Sequence, residues 1–158
     1  MSSSRPEPGR QRLPHLAPLD IVNQSTVVFL TMCVEKRRPL LAKPEIVELL
    51  LDCWRQADDW LVGRWVVMPD HLHLFCSAAK FPARPLHSWA RFWRSRATRR
   101  WPRLAETPIW QRDFFDRRLR GGENYHQKWL YPWENPIKAG VVSRPEDGPY
   151  QAAMNVLY

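Results

Sequence analysis

The chain has 158 residues, enough for one domain with a single sizeable core and too few for two. Its 24 Lys and Arg against 16 Asp and Glu give a formal charge of +8, a balance that favours phosphate-rich partners and salt-sensitive association. No stretch approaches the roughly 18 apolar residues that span a bilayer, and no apolar run of signal-peptide length follows the N-terminus, so no membrane association is expected and the cytoplasm is the expected compartment. Cys33, Cys53 and Cys76 are odd in number, widely spaced and set in apolar runs, which reads as free buried thiols rather than a disulfide framework or a cysteine zinc knuckle.

Residues 1–22 are rich in Ser, Pro, Arg and Gly without sustained periodicity. They read as a basic, disordered tail able to touch a nucleic-acid backbone. Thr26 to Val34 is rich in apolar and β-branched residues, as expected of a strand covered on both faces, and a charged turn follows from Glu35 to Pro39. From Pro44, a favourable first-turn residue, the apolar positions Ile46, Val47, Leu49, Leu50, Cys53, Trp54 and Ala57 recur with helical spacing, predicting about four turns. Trp60 to Met68 and His71 to Ser77 read as two strands joined through Pro69-Asp70, a hairpin.

Within that hairpin, alternation of side chains puts His71 and His73 on one face and Leu72 and Leu74 on the other. Two neutral imidazoles so placed suit a shared metal ion. Two exposed or core-satisfied histidines are the simpler reading of the pattern taken alone.

Residues 81–84 read as a loop and about 85–101 as a second helix, carrying Trp89, Phe92 and Trp93 on one side. Arg91, Arg94, Arg96, Arg99 and Arg100 crowd the same segment. The pattern fits either a solvated amphipathic helix or the basic, aromatic-edged wall of a nucleic-acid groove. Nine Trp in so short a chain add core volume and stacking faces for unpaired bases. Pro108 to Phe115 suggests a fourth strand, Gly121-Gly122 a break and Glu123 to Glu134 a third helix limited by Pro136 and Gly140. Strand, helix, strand pair, helix, strand, helix is a ferredoxin-like alternation: an α+β fold with an antiparallel sheet and helices packed on one face. The organisation expected is a tail over 1–22, a catalytic domain over 23–143 and a C-terminal tail over 144–158.

On a third helix, Tyr131 and Asn135 lie four residues apart and project from the same face. A phenol and an amide added to the two histidines suit phosphodiester cleavage by direct tyrosine attack, with a divalent ion polarising the phosphate. Taken singly, Tyr131 also fits a core or surface tyrosine and Asn135 a helix C-cap before Pro136.

These residues resemble the single-tyrosine HUH transposases, and within them the REP-associated tyrosine transposases, over about residues 24–150. One anchor is His71-Leu72-His73 in the context Val67-Met68-Pro69-Asp70. A second is Ile109-Trp110-Gln111-Arg112 followed by Phe115-Asp116. The third is Asn135-Pro136-Ile137-Lys138-Ala139-Gly140-Val141-Val142, with a tyrosine four residues before its Asn.

The resemblance implies a ferredoxin-like domain that nicks single-stranded DNA at or near a hairpin-forming repeat. It implies Tyr131 as the nucleophile forming a 5′-phosphotyrosine, His71, His73 and Asn135 as ligands of Mg²⁺ or Mn²⁺, and action as a monomer or a homodimer. Tyr125 ranks second as nucleophile, its offset from Tyr131 placing it elsewhere around the helix. Arg91, Arg94, Arg96, Arg99, Arg100, Arg112 and Lys138 are the expected DNA contacts. Two departures from the family pattern stand out: Pro132 follows the tyrosine where an apolar helix former is usual, and Gly148-Pro149-Tyr150 replaces a Trp-Pro-aromatic element. A cleavage-deficient nucleic-acid-binding module of the same fold is the alternative that Pro132 raises.

Overall fold

The computed structural model describes residues 26–119, 150–155 and 157. Within them, β1 (Val28–Cys33), β2 (Trp60–Val67), β3 (His71–Ala78), β4 (Phe115–Arg118) and β5 (Gln151–Ala153) form one antiparallel sheet in the order β4-β1-β3-β2-β5. Among the described residues two α-helices, α1 (Pro44–Gln56) and α2 (Leu86–Arg99), join the sheet in an α+β arrangement. The first four strands follow the split β-α-β order of a ferredoxin-like sheet, in which β3 lies between β1 and β2.

Local chemistry explains the elements. Pro44 opens α1 with its missing N–H in the turn that needs none, and the Ala57 N–H closes it onto the Cys53 carbonyl. One stripe of α1 (Ile46, Val47, Leu50, Cys53, Trp54) and one of α2 (Leu86, Trp89, Ala90, Trp93, Ala97) are buried together against the sheet. The sheet meets them with Val28, Leu30 and Met32 of β1, Val62, Trp65 and Val67 of β2, and Leu72, Leu74 and Cys76 of β3. Register shifts between Val62 and Trp65, so the bulge containing Gly63 lets both residues face the helices. Indoles knit the layers together: Trp93 packs edge-on against Trp54 at 5.7 Å, Trp89 at 6.1 Å and Trp110 at 5.6 Å between ring centroids. Such contacts contribute about 0.5–1.5 kcal/mol each beyond the area they bury.

Two sequence expectations are corrected. The strand expected over Pro108 to Phe115 begins only at Phe115; before it, Trp110 makes an isolated bridge to Val34. The cause is pairing geometry, since β4 aligns Phe115–Arg118 with Thr31–Val28, whereas residues 108–112 turn across the end of β1 to reach α2. Second, Gln151–Ala153, within the segment read as a C-terminal tail, pairs with Arg64–Val66 and covers the β2 edge. The third helix expected over Glu123 to Glu134, the tail over 1–22 and residues Tyr125, Tyr131, Pro132, Asn135 and Lys138 lie outside the described residues.

Candidate histidine centre and basic groove

The far face of the sheet, opposite the helices, carries the histidines. Cross-strand register places Thr31 opposite His73 and Cys33 opposite His71, so all four side chains share that face with Phe29 and Phe75. The two imidazoles lie 4.9 Å apart between centroids with planes at 81°. Phe29 stacks on His73 at 5.3 Å with planes only 14° apart, which fixes the plane of the inner ring.

Each ring is also engaged at Nδ1. His73 Nδ1 sits 2.9 Å from Thr31 Oγ1, and His71 Nδ1 sits 2.7 Å from Asp70 Oδ1. With the proton on Nδ1 donated to these oxygens, Nε2 is the nitrogen with which each ring would coordinate, the arrangement typical of metal-binding histidines. His73 is only 6% exposed; burial, with repulsion from His71, pushes its pKa down to about 3 and keeps it neutral, as a ligand must be. Partial burial raises the Asp70 carboxyl, but hydrogen bonds from His71 and Arg37 and their charges outweigh this and hold it below the ordinary carboxylate range. The donor set fits a divalent cation. Among the described residues no three His, Cys, Asp or Glu side chains converge on one point, so these two imidazoles need a ligand of another type or from outside that set.

A groove of about 380 Å³ opens between α2 and the segment 108–112, lined by Arg91, Arg94 and Arg99 from the helix and Trp110, Gln111 and Arg112 from the segment. Among the described residues none of these four arginines is in an ion pair; Arg94 Nη1 donates to the Gln111 carbonyl at 3.1 Å and Arg99 Nη1 to Ser95 Oγ at 3.0 Å. Among the described residues Arg94 Nε and Trp110 Nε1 are buried without a hydrogen-bond acceptor. Burial and the neighbouring Arg91 charge lower the Arg94 pKa, with Asp113 opposing, so the groove wall carries crowded positive charge that an anion would relieve.

Arg96 of the helix and Arg100, the residue that caps its C-terminus, face elsewhere. Arg96 Nη2 donates to Gln56 Oε1 at 2.6 Å and Arg100 Nη1 to Asp52 Oδ2 at 2.7 Å, tying α2 to α1. Groove and histidine centre are joined through the sheet: Gln111 N–H donates to the Cys33 carbonyl at 2.9 Å, and Cys33 is the ladder partner of His71. Two strand spacings, about 10 Å, therefore separate the Gln111 backbone from that of His71. Sequence reasoning passed over Thr31, Arg37 and Asp70 as partners of the centre. Asp70 had a visible signal, a carboxylate adjoining the first histidine; Thr31 had none, because its place opposite His73 follows from register across 42 residues of chain.

No family model matches the chain, and no curated protein does. Among solved structures, it is similar to a REP-associated tyrosine transposase bound to a REP hairpin, with a TM-score of 0.65 and 23% identity over 79% of this chain and 74% of that one. It is also similar to a candidate transposase from Deinococcus radiodurans, with a TM-score of 0.51 and 19% identity over 70% of this chain and 90% of that one. Among the described residues no helix is long and apolar enough to cross a membrane. The chain has the fold of the REP-associated tyrosine transposases.

Proposed function

We propose that this chain is a metal-dependent DNA enzyme that nicks single-stranded DNA at hairpin-forming repeats and transfers the strand through a 5′-phosphotyrosine. The observation that carries the reading is the histidine pair, each ring engaged at Nδ1 on the face of a transposase-like sheet opposite α1 and α2. The groove supports it by offering four arginines without ion pairs among the described residues, beside a segment whose Gln111 backbone lies about two strand spacings from that of His71. The hairpin bound by the structural neighbour supports DNA of that shape as the partner.

In this reading the Tyr131 oxygen attacks phosphorus, the bond from phosphorus to the 3′-oxygen breaks, and the phenolic proton passes to solvent while the leaving oxygen takes up a proton as a 3′-hydroxyl. Reversal by another 3′-hydroxyl rejoins the strand and releases the tyrosine. His71 and His73, with Asn135 as third ligand, would hold Mg²⁺ or Mn²⁺, which when bound supplies positive charge beside the phosphate oxygens. Arg91, Arg94, Arg99, Arg112 and Lys138 neutralise the strand's backbone; Arg96 and Arg100 contribute mainly through the field of the helix.

The test is covalent capture. Full-length protein, Mn²⁺ and a labelled single-stranded hairpin oligonucleotide give a denaturant-resistant adduct, which Tyr131→Phe and the double variant His71→Ala, His73→Ala abolish. Adduct formation undiminished in Tyr131→Phe refutes the nucleophile, and cleavage without any adduct points to hydrolysis instead. Pro132, beside the proposed nucleophile, favours a second reading in which the chain binds hairpins without cutting. That reading predicts salt-dependent binding with no adduct under any metal, and a gain of adduct in Pro132→Ile.

A further inference from the structure

Arg37 and His71 engage the two oxygens of one carboxylate. Arg37 Nε donates to Asp70 Oδ2 at 3.0 Å, and His71 Nδ1 lies 2.7 Å from Asp70 Oδ1. The arginine arrives from a 3₁₀ turn, Glu35–Arg37, in which Lys36 and Arg37 both have positive φ, 60° and 55°. Non-glycine residues enter that region only where surrounding contacts hold them there.

Those contacts are present. The Arg37 N–H donates to the Val34 carbonyl, the Val34 N–H donates to the Asp70 carbonyl, and the Glu35 N–H donates to the Ile109 carbonyl. Arg38 spreads its guanidinium over the carbonyls of Glu35, Glu106 and Pro108. The turn that presents Arg37 is thus tied to the backbone of the residue whose side chain it meets.

We propose that Arg37 is a positioning residue: by clamping Asp70 it fixes the His71 ring with its proton on Nδ1 and Nε2 turned outward as the metal-binding nitrogen. A carboxylate held by one hydrogen bond rotates and exchanges its partner for water; one engaged at both oxygens keeps its plane, and with it the ring. Either nitrogen of a neutral imidazole can carry the proton, and the partner at the other nitrogen decides which. The role assigned to Nε2 rests on the proposed function's reading of His71 as a ligand. The Arg37–Asp70–His71 chain itself stands on geometry.

The experiment uses full-length protein with Mn²⁺ alone as the probe, and metal-free protein for nitrogen NMR. Asp70→Ala weakens Mn²⁺ binding about 10- to 100-fold, the range for partners of ligating histidines. Arg37→Gln weakens it less, Arg37→Lys recovers part of the loss, and the double variant matches Asp70→Ala because the arginine acts through the carboxylate. Without metal, the His71 ring shows a protonated Nδ1 in the parent and a mixture of tautomers in Arg37→Gln and Asp70→Ala, a readout that a merely structural role would not move. A parent ring protonated at Nε2, or parent-like tautomer and affinity in both variants, overturns the proposal. Equal Mn²⁺ binding by the parent and His71→Ala would instead remove the ligand reading, while the nitrogen shifts still decide whether Arg37 and Asp70 set the tautomer.

Discussion

The division of the arginines on and beside α2 into two groups makes a quantitative prediction about salt. Arg91, Arg94, Arg99 and Arg112 line the groove without ion pairs among the described residues, whereas Arg96 and Arg100 are committed to Gln56 and Asp52 of α1. If each groove arginine neutralises one phosphate of a single strand, the four contribute a slope of about −2.8 in log affinity against log salt concentration, at about −0.7 per contact. Raising salt from about 50 to about 200 mM then weakens binding roughly 50-fold through these contacts alone. Replacing all four with Gln removes that part of the slope, while Arg96→Gln with Arg100→Gln leaves the slope within about one contact of the parent. Fluorescence anisotropy of a labelled hairpin oligonucleotide, titrated at four or five salt concentrations, gives both slopes. An equal reduction in the two variants would refute the division, because it would mean that the α1-facing pair leaves its partners to meet DNA.

Trp93→Ala removes a fully buried indole touching three others, and is expected to lower stability by about 3–5 kcal/mol in urea unfolding, with Trp93→Phe losing markedly less. Metal-free protein loses stability as pH falls from about 6.5 towards about 3. In that window an unfolded His73 takes up a proton that the buried ring refuses, giving a slope on the order of 1 kcal/mol per pH unit. Urea midpoints measured across this range check it, and the slope should flatten in His73→Asn; an unchanged slope in that variant would assign the acid sensitivity to other groups.

Much of the architecture was legible in local pattern. Period-2 alternation identified the β2-β3 hairpin and put His71 and His73 on one face, because the pleat makes that a local consequence of spacing. Period-3.6 recurrence located α1 and α2 within a residue or two, and their apolar stripes are the ones that pack. The fourth strand was displaced because residues 108–114 carry a strand-like composition but make their contacts through Trp110 and Gln111 to the end of β1 and to α2. Composition reports burial, and ladder pairing depends on which neighbour is within reach.

Local spacing sets which side chains share a face: the histidine pair and the buried stripes of the two helices both follow from the repeat of a regular backbone. Long-range packing chose the distant partners of those side chains. Thr31 reaches His73 through strand register, Arg37 reaches Asp70 through a turn with positive φ, and six arginines crowded into one stretch of sequence and its neighbouring loop divide between a groove and a helix interface. The reason is range. Periodicity is set by bonds between near neighbours, whereas distant partners are set by how segments pack: Thr31 and His73 are 42 positions apart in the chain, and Arg37 and Asp70 are 33.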